Sequence, residues 1–179
     1  MNSEKTILQD AVADLFPGTF ALVMATGIIS IAADLLRWPI LPRLFFLLNI
    51  FFYAALWVLF VIRGIFFAPR LRADFSNPVR GVGFFTVVAA TCILGSEAFL
   101  IACDYGWSFA LLVLGGILWA VLTYGLFAAL VTAKEKPAFT ASIHGSWLIA
   151  VVAAQSVSVL AGLNAGRTNS EALLLFSVL

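Results

Sequence analysis

The chain has 179 residues, of which 63% are hydrophobic and only 11% are charged. Soluble domains are roughly half apolar and a quarter charged, so this composition excludes an ordinary soluble domain and indicates an integral membrane protein in the lipid bilayer. The net charge of +1 and the scattered basic residues exclude a strongly basic nucleic-acid partner surface. Residues 1–16 mix one lysine with three acidic residues, which is not typical of a signal peptide, so we expect the first apolar stretch to stay in the mature protein.

Five apolar stretches are long enough to cross the membrane as helices. They are predicted at about residues 15–36, 44–62, 82–102, 108–132 and 143–163, and a further apolar run at 172–179 resembles the start of a sixth. All six prolines fall in connections or first helical turns, which predicts continuous helices. The predicted fold is all-α, with residues 1–179 forming a single membrane domain. Because the chain stops inside an apolar run, we expect it to be the N-terminal half of a longer protein; a half-size protein that dimerises is the alternative.

The predicted spans alternate in character. The first, third and fifth carry hydroxyl, amide, carboxyl and many small groups, whereas the second and fourth are bulky and aromatic. Unmatched polar groups are costly in lipid, so the odd spans are expected to lie inside a set of helical hairpins and the even spans outside. An inner wall of this kind could enclose a conduit, although small and hydroxyl residues at helical spacing also serve helix packing.

Candidate conduit residues lie on single helical faces of the odd spans. In the first span, Thr19, Thr26 and Ser30 share a face; in the fifth, Gln155 and Ser158 do so with Gly162. The full set of predicted pore or transport residues is Thr19, Thr26, Gly27, Ser30, Thr86, Glu97, Gln155, Ser158 and Gly162.

Glu97 lies well inside the third span, where a carboxyl group is expensive to bury and is therefore a functional candidate. The hypothesis is that it faces the conduit near the outer side and helps couple protons to transport. The alternative is a side chain that reaches the outer interface.

The distribution of basic residues predicts the orientation of the chain. The N-terminal arm, the 2–3 connection and the 4–5 connection hold seven of the ten: Lys5, Arg63, Arg70, Arg72, Arg80, Lys134 and Lys136. The other side holds three: Arg37, Arg43 and Arg167. This bias predicts a cytoplasmic N-terminus. The positive ends of the odd helices would then converge at a basic cytoplasmic mouth, which favours entry of anions from the cytosol.

The cysteine and histidine content predicts no metal, no cofactor and no catalytic site. Cys92 and Cys103 form no CxxC pair, and His144 is the single histidine. An intramembrane enzyme needs a set of catalytic groups at one depth, and isolated carboxyls with one histidine do not provide it.

Three segments in order resemble the tellurite-resistance/dicarboxylate transporter family, which includes the plant slow-type anion channels. They are FPGTFALVMATGIIS (16–30), NPVRGVGFF (77–85) and GSWLIAVVAAQSVSVLAG (145–162). In the second segment Asn77 stands where many members have histidine. The resemblance implies a ten-helix fold of five hairpins around a central pore, of which this chain covers about half. The implied remainder includes the ninth helix with the family's phenylalanine gate, so no gate residue is assigned here.

The resemblance implies transport of anions through a central pore, with export of C4-dicarboxylates such as malate, of sulfite or of tellurite-type anions as the expected activity. The residues expected at the cytoplasmic mouth are Pro17, Asn77, Pro78 and Arg80. We expect the protein in the plasma membrane, either as one chain or as a homo-oligomer. The alternative function is a membrane scaffold or assembly subunit without a conduit, followed by an intramembrane enzyme.

Overall fold

The structure, a computed structural model, describes residues 10, 12–132, 145–168 and 170–178. Five of its helices are long and apolar enough to cross a membrane. Span 1 is Pro17–Leu35, span 2 is Leu41–Phe66, span 3 is Pro78–Leu100, span 4 is Tyr105–Thr132 and span 5 is Gly145–Thr168. The predicted all-α integral membrane fold is therefore confirmed. The 4–5 connection with its lysines and His144, the N-terminal lysine, and the predicted first residues of the fifth span lie outside the described residues.

The three odd spans pack side by side, with span 3 in the middle. Span 3 contacts spans 1, 4 and 5, span 2 packs mainly on span 1, and span 4 packs mainly on span 3. Over its most apolar stretch span 3 is 89% buried, against 11% for span 2 and 22% for span 4. Span 3 therefore lies at the centre. Spans 1 and 5 are only 28% and 22% buried over the same kind of stretch, so the separation into inner odd spans and outer even spans holds for span 3 and stays a prediction for spans 1 and 5.

Each odd span contains a 3₁₀ turn near its N-terminal end, at Pro17–Phe20, Val82–Phe84 and Gly145–Trp147. In spans 1 and 5 this turn comes first, whereas in span 3 it separates a short α-helical segment, Pro78–Gly81, from the longer segment Phe85–Leu100. The turn lies where spans 1 and 3 meet most closely.

Glycine allows that close approach. A Cβ atom on Gly83 would lie 2.9 Å from the backbone nitrogen of Gly18, a distance that real Cβ contacts do not reach. Nearby, the Thr86 hydroxyl donates to the carbonyl oxygens of Gly83 at 2.7 Å and of Pro17 at 3.2 Å. The starts of spans 1 and 3 are therefore tied together at backbone distance.

The connection between the second and third predicted spans is partly helical. It contains a helix, Ala68–Ser76, with a proline in its first turn. Asn77 follows, and its side-chain oxygen accepts hydrogen bonds from the backbone nitrogens of Val79 and Arg80, which caps the start of span 3. A last helix, Glu171–Val178, packs against span 5 where the sixth apolar run was expected to begin.

Aromatic residues of span 2 hold it against span 1. The fully buried ring of Phe20 makes edge-to-face contacts with Tyr53, Trp57 and Phe60, at centroid distances of 6.1, 5.9 and 5.7 Å. Aromatic pairs of this geometry contribute about 0.5–1.5 kcal/mol each beyond their buried area. The bulky character of span 2 therefore serves packing on its inner side as well as contact with lipid.

Candidate functional site

A groove of about 670 Å³ runs along the face that the odd spans share. Spans 2 and 4 contribute no side chain to its wall. The lining residues are Met24, Ile28 and Ile31 of span 1, Cys92, Ile93, Ser96 and Leu100 of span 3, and Leu148, Val151, Val152, Gln155, Ser156, Val159 and Leu163 of span 5.

The wall of the groove is apolar, and none of the described residues that line it carries a charge. Its polar groups belong to Ser96, Gln155 and Ser156. The Ser96 hydroxyl donates to the Cys92 carbonyl oxygen at 3.0 Å, and that of Ser156 to the Val152 carbonyl oxygen at 2.8 Å, so both serine protons bond within their own helices. The groove therefore offers neutral polar groups rather than a fixed counter-charge for an ion.

A smaller cavity of about 220 Å³, here named the mouth cavity, lies at the N-terminal ends of the same three spans. Its lining residues are Phe16, Gly18, Ala21, Val79, Val82, Gly83, Thr86, Ser146 and Ile149. All three odd helices begin beside it. Helix N-termini carry partial positive charge, so the electrostatic environment of this cavity favours anions.

A chain of buried hydrogen bonds joins spans 1, 2 and 3 away from the groove. The Thr26 hydroxyl lies 2.6 Å from Asn49 Oδ1, and Asn49 Nδ2 donates to Glu97 Oε2 at 2.6 Å. Both Asn49 and Glu97 are fully buried. Gly27 makes room for them, because a Cβ atom there would lie 2.8 Å from Asn49 Nδ2 and 3.2 Å from Glu97 Oε2. The carboxyl of Glu97 thus faces span 2.

The other predicted pore residues lie in three different environments. Gln155 lines the groove and Thr86 lines the mouth cavity. Ser30 is fully buried, and its hydroxyl donates to the Pro42 carbonyl oxygen at the start of span 2, at 2.8 Å. Like the Thr26–Glu97 chain, this bond turns a polar side chain of an odd span toward span 2.

The remaining candidates make local contacts. The hydroxyls of Thr19 and Ser158 donate to the carbonyl oxygens of Phe16 and Ala154, and Gly162 lies near Ser177 of the last helix. As pore residues these positions stay predictions.

Charged residues form a cluster at the N-terminal side of the bundle, beside the mouth cavity. Asp74 forms ion pairs with two arginines: its Oδ2 lies 2.6 Å from Arg63 Nη2, and its Oδ1 lies 2.6 Å from Arg80 Nε. Arg63 also donates through Nε to the Ala13 carbonyl oxygen at 3.0 Å and is only 1% exposed. Arg80, expected at the mouth, is therefore held by Asp74 at the start of span 3. Pro78 occupies the first turn of the same span, and Pro17 occupies the first turn of span 1.

Sequence reasoning did not select several residues that the structure brings to these sites. Asn49, Asp74, Ser96 and Ser156 are not among the residues that the sequence analysis singles out. A lone amide in an otherwise apolar span signals a buried partner. That signal points to Asn49, whereas nothing in the local sequence pairs Arg63 with Asp74.

The sequence profile that describes voltage-dependent anion channels, the SLAC1 family, matches residues 14–179. The chain belongs to this voltage-dependent anion channel family. The resemblance carried by the three segments at 16–30, 77–85 and 145–162 is thereby confirmed, since the plant slow-type anion channels are part of the same family. The voltage-dependent anion channels are a family of transporters and channels rather than enzymes.

A curated relative of this anion channel family member is an uncharacterized transporter of Methanocaldococcus jannaschii. The two are 28% identical over 124 residues, which cover 66% of this chain and 33% of the relative. The chain thus matches about a third of the length of that transporter. No solved structure matches the chain.

Proposed function

We propose that this chain supplies one side of a pore through which anions cross the membrane. The observation that carries the proposal is the groove whose wall comes from spans 1, 3 and 5 alone. A wall of adjacent inner helices, backed by even helices that face lipid, is the arrangement that a transmembrane conduit requires. Membership of the anion channel family supports the same reading.

Electrostatics supports anions as the transported species. Three helix N-termini meet at the mouth cavity, and arginines stand beside it, whereas the groove contains no acidic side chain. Selection would rest on pore width, neutral hydrogen-bonding groups and a weak positive field rather than on a tight binding site. A fixed site that binds too strongly would slow the release of the ion.

The proposed substrates are C4-dicarboxylates such as malate, sulfite and tellurite-type anions. We propose that the protein resides in the plasma membrane with its N-terminus in the cytoplasm. The proposed direction of transport is export. The rest of the pore wall would come either from additional residues of the same protein or from a second copy of this chain. In the second case the functional pore is a homo-oligomer.

Flux from vesicles tests this function directly. The complete gene product would be reconstituted into liposomes loaded with labelled malate, sulfite or tellurite, and efflux would be compared with that from empty liposomes. Efflux of at least one anion supports the pore. A folded, correctly inserted protein that releases none of these anions and no chloride would instead favour the scaffold function.

Filling the groove is expected to reduce this flux. Ser156→Phe adds a ring to the groove wall at a position that is not among the buried residues of span 5, such as Ala153, Val157 and Leu160. The matched control, Val121→Phe, adds a ring to span 4 at a position that is 63% exposed on the lipid side. We expect about a tenfold loss of efflux for the first, equivalent to about 1.4 kcal/mol in barrier height, and little change for the second. Equal flux from both variants would argue against the groove as the pathway.

We also propose that Glu97 couples protons to anion movement, through the span 1–2–3 network rather than by lining the groove. Its carboxyl is fully buried and accepts a hydrogen bond from an uncharged amide, so its protonation would change how spans 2 and 3 are held together. Glu97→Gln keeps an oxygen acceptor but cannot titrate. We expect the variant to lose the pH dependence of efflux, measured from pH about 5 to about 8 with equal pH on both sides. An unchanged pH profile would remove the coupling role.

A further inference from the structure

The ring of Phe16 lies against two glycines at the start of spans 1 and 3. A Cβ atom on Gly18 would lie 2.9 Å from Phe16 Cδ1 and closer still to Cε1, and one on Gly83 would lie 3.3 Å from Phe16 Cζ. The absence of side chains at these two positions creates the space that the ring occupies. The position of the ring is therefore built into the backbone contact between the two inner spans.

An arginine side chain also contacts the same ring. The Arg80 guanidinium carbon lies 5.5 Å from the ring centroid, within the range of a cation–π contact. Arg80 is itself fixed by Asp74, with Nε at 2.6 Å from Oδ1 and Nη2 at 3.1 Å from Oδ2. The Phe16 ring thus contacts Gly18 and Gly83 and also Arg80, whose position is set by its ion pair with Asp74.

Phe16 is also the largest side chain that lines the mouth cavity. It is 46% exposed, so part of the ring borders open space rather than protein. Three other residues that line the same cavity are small, namely Gly18, Ala21 and Gly83. The free width of the mouth cavity therefore depends on this ring more than on any other described side chain.

We propose that Phe16 is a specificity-determining constriction: its ring, held by Arg80, limits the size of the anions that pass from the mouth cavity to the groove. The inference rests on the proposed transport function, and it identifies the residue that sets the width of the entry. The chain of Arg63, Asp74 and Arg80 acts as a positioning device for the ring.

Competition between a small and a large anion tests the proposal. The complete gene product and its Phe16→Ala and Phe16→Leu variants would be compared in liposomes for efflux of sulfite and of malate. We expect Phe16→Ala to raise malate efflux relative to sulfite efflux by about threefold or more, with Phe16→Leu in between. Phe51→Ala, which removes a ring that is 66% exposed on span 2, is the matched control and should leave the ratio unchanged. An unchanged ratio in a Phe16→Ala protein that conducts would overturn the proposal.

A chemical measurement keeps the test valid if no flux is found. Ile149, a partly buried wall residue of the mouth cavity, would be changed to cysteine in a protein with Cys92→Ala and Cys103→Ser. A charged aqueous thiol reagent should label it faster when Phe16→Ala or Phe16→Leu is added. Labelling at an unchanged rate overturns the constriction by itself. Faster labelling without flux would leave the constriction standing and reject the transport function instead.

Discussion

Replacing Asp74 with alanine is expected to destabilise the protein by about 3–5 kcal/mol, the range observed when one partner of a buried ion pair is removed. Asp74 compensates the Arg63 guanidinium, which is 1% exposed and cannot turn to water without moving the end of span 2. Its loss leaves that charge buried, and among the described residues the carbonyl oxygen of Ala13 is then its one remaining acceptor. The same substitution releases Arg80 at the start of span 3.

Asp14→Ala provides the matched control for this variant. The Asp14 carboxylate also pairs with an arginine, Arg70, at 3.1 Å, but the two side chains are 75% and 53% exposed. Exposed pairs contribute about 0–1 kcal/mol because water competes for both partners. Thermal unfolding of the two variants in the same detergent, followed by the loss of monodisperse protein, measures the difference. Equal losses of stability would mean that Arg63 finds another partner or leaves the interior.

The membrane spans could be predicted from the sequence because length and hydropathy alone define them. The predicted span at 15–36 became Pro17–Leu35, and the one at 44–62 became Leu41–Phe66. The second helix is longer than predicted because Arg63, which was expected to end it, pairs with Asp74 inside the protein and is accommodated within the helix. The helix Ala68–Ser76 was missed because a nine-residue charged helix has too little apolar periodicity to be recognised.

The sequence predicts only in part which helix or open space each polar side chain contacts. Periodicity places Thr26 and Ser30 on one face of span 1, but a face can turn toward an open passage or toward another helix. In the structure both side chains bond to the segment around span 2, while the groove between the odd spans is lined by aliphatic residues such as Ile28 and Val152. Choosing between the two directions requires knowing which helix is adjacent. A single sequence does not contain that information when the partner is one amide in an apolar span.

Replacing Asn49 with leucine is expected to cost about 1–3 kcal/mol, because it leaves the buried carboxyl of Glu97 without the donor at 2.6 Å. The double variant Asn49→Leu with Glu97→Leu should recover most of that loss, since replacing both partners by apolar groups removes the uncompensated polar atom. Thr132→Val is the control: its hydroxyl lies outside this network and donates to the Ala128 carbonyl oxygen at 2.8 Å within its own helix, so its removal should change stability little.

Thermal unfolding of the unsubstituted protein, Asn49→Leu, Glu97→Leu and the double variant gives a double-mutant cycle for Asn49 and Glu97, and we expect a coupling energy of about 1–3 kcal/mol. Such coupling would mean that the Asn49–Glu97 hydrogen bond stabilises the contact between spans 2 and 3. Protonation of Glu97 could then change the packing of span 3 against span 2. Additive losses, with the double variant weaker than either single one, would mean that each side chain contributes only its own packing. In that case the position of Glu97 would offer no mechanical link between its protonation and the groove, and any pH dependence of efflux would have to arise elsewhere in the protein.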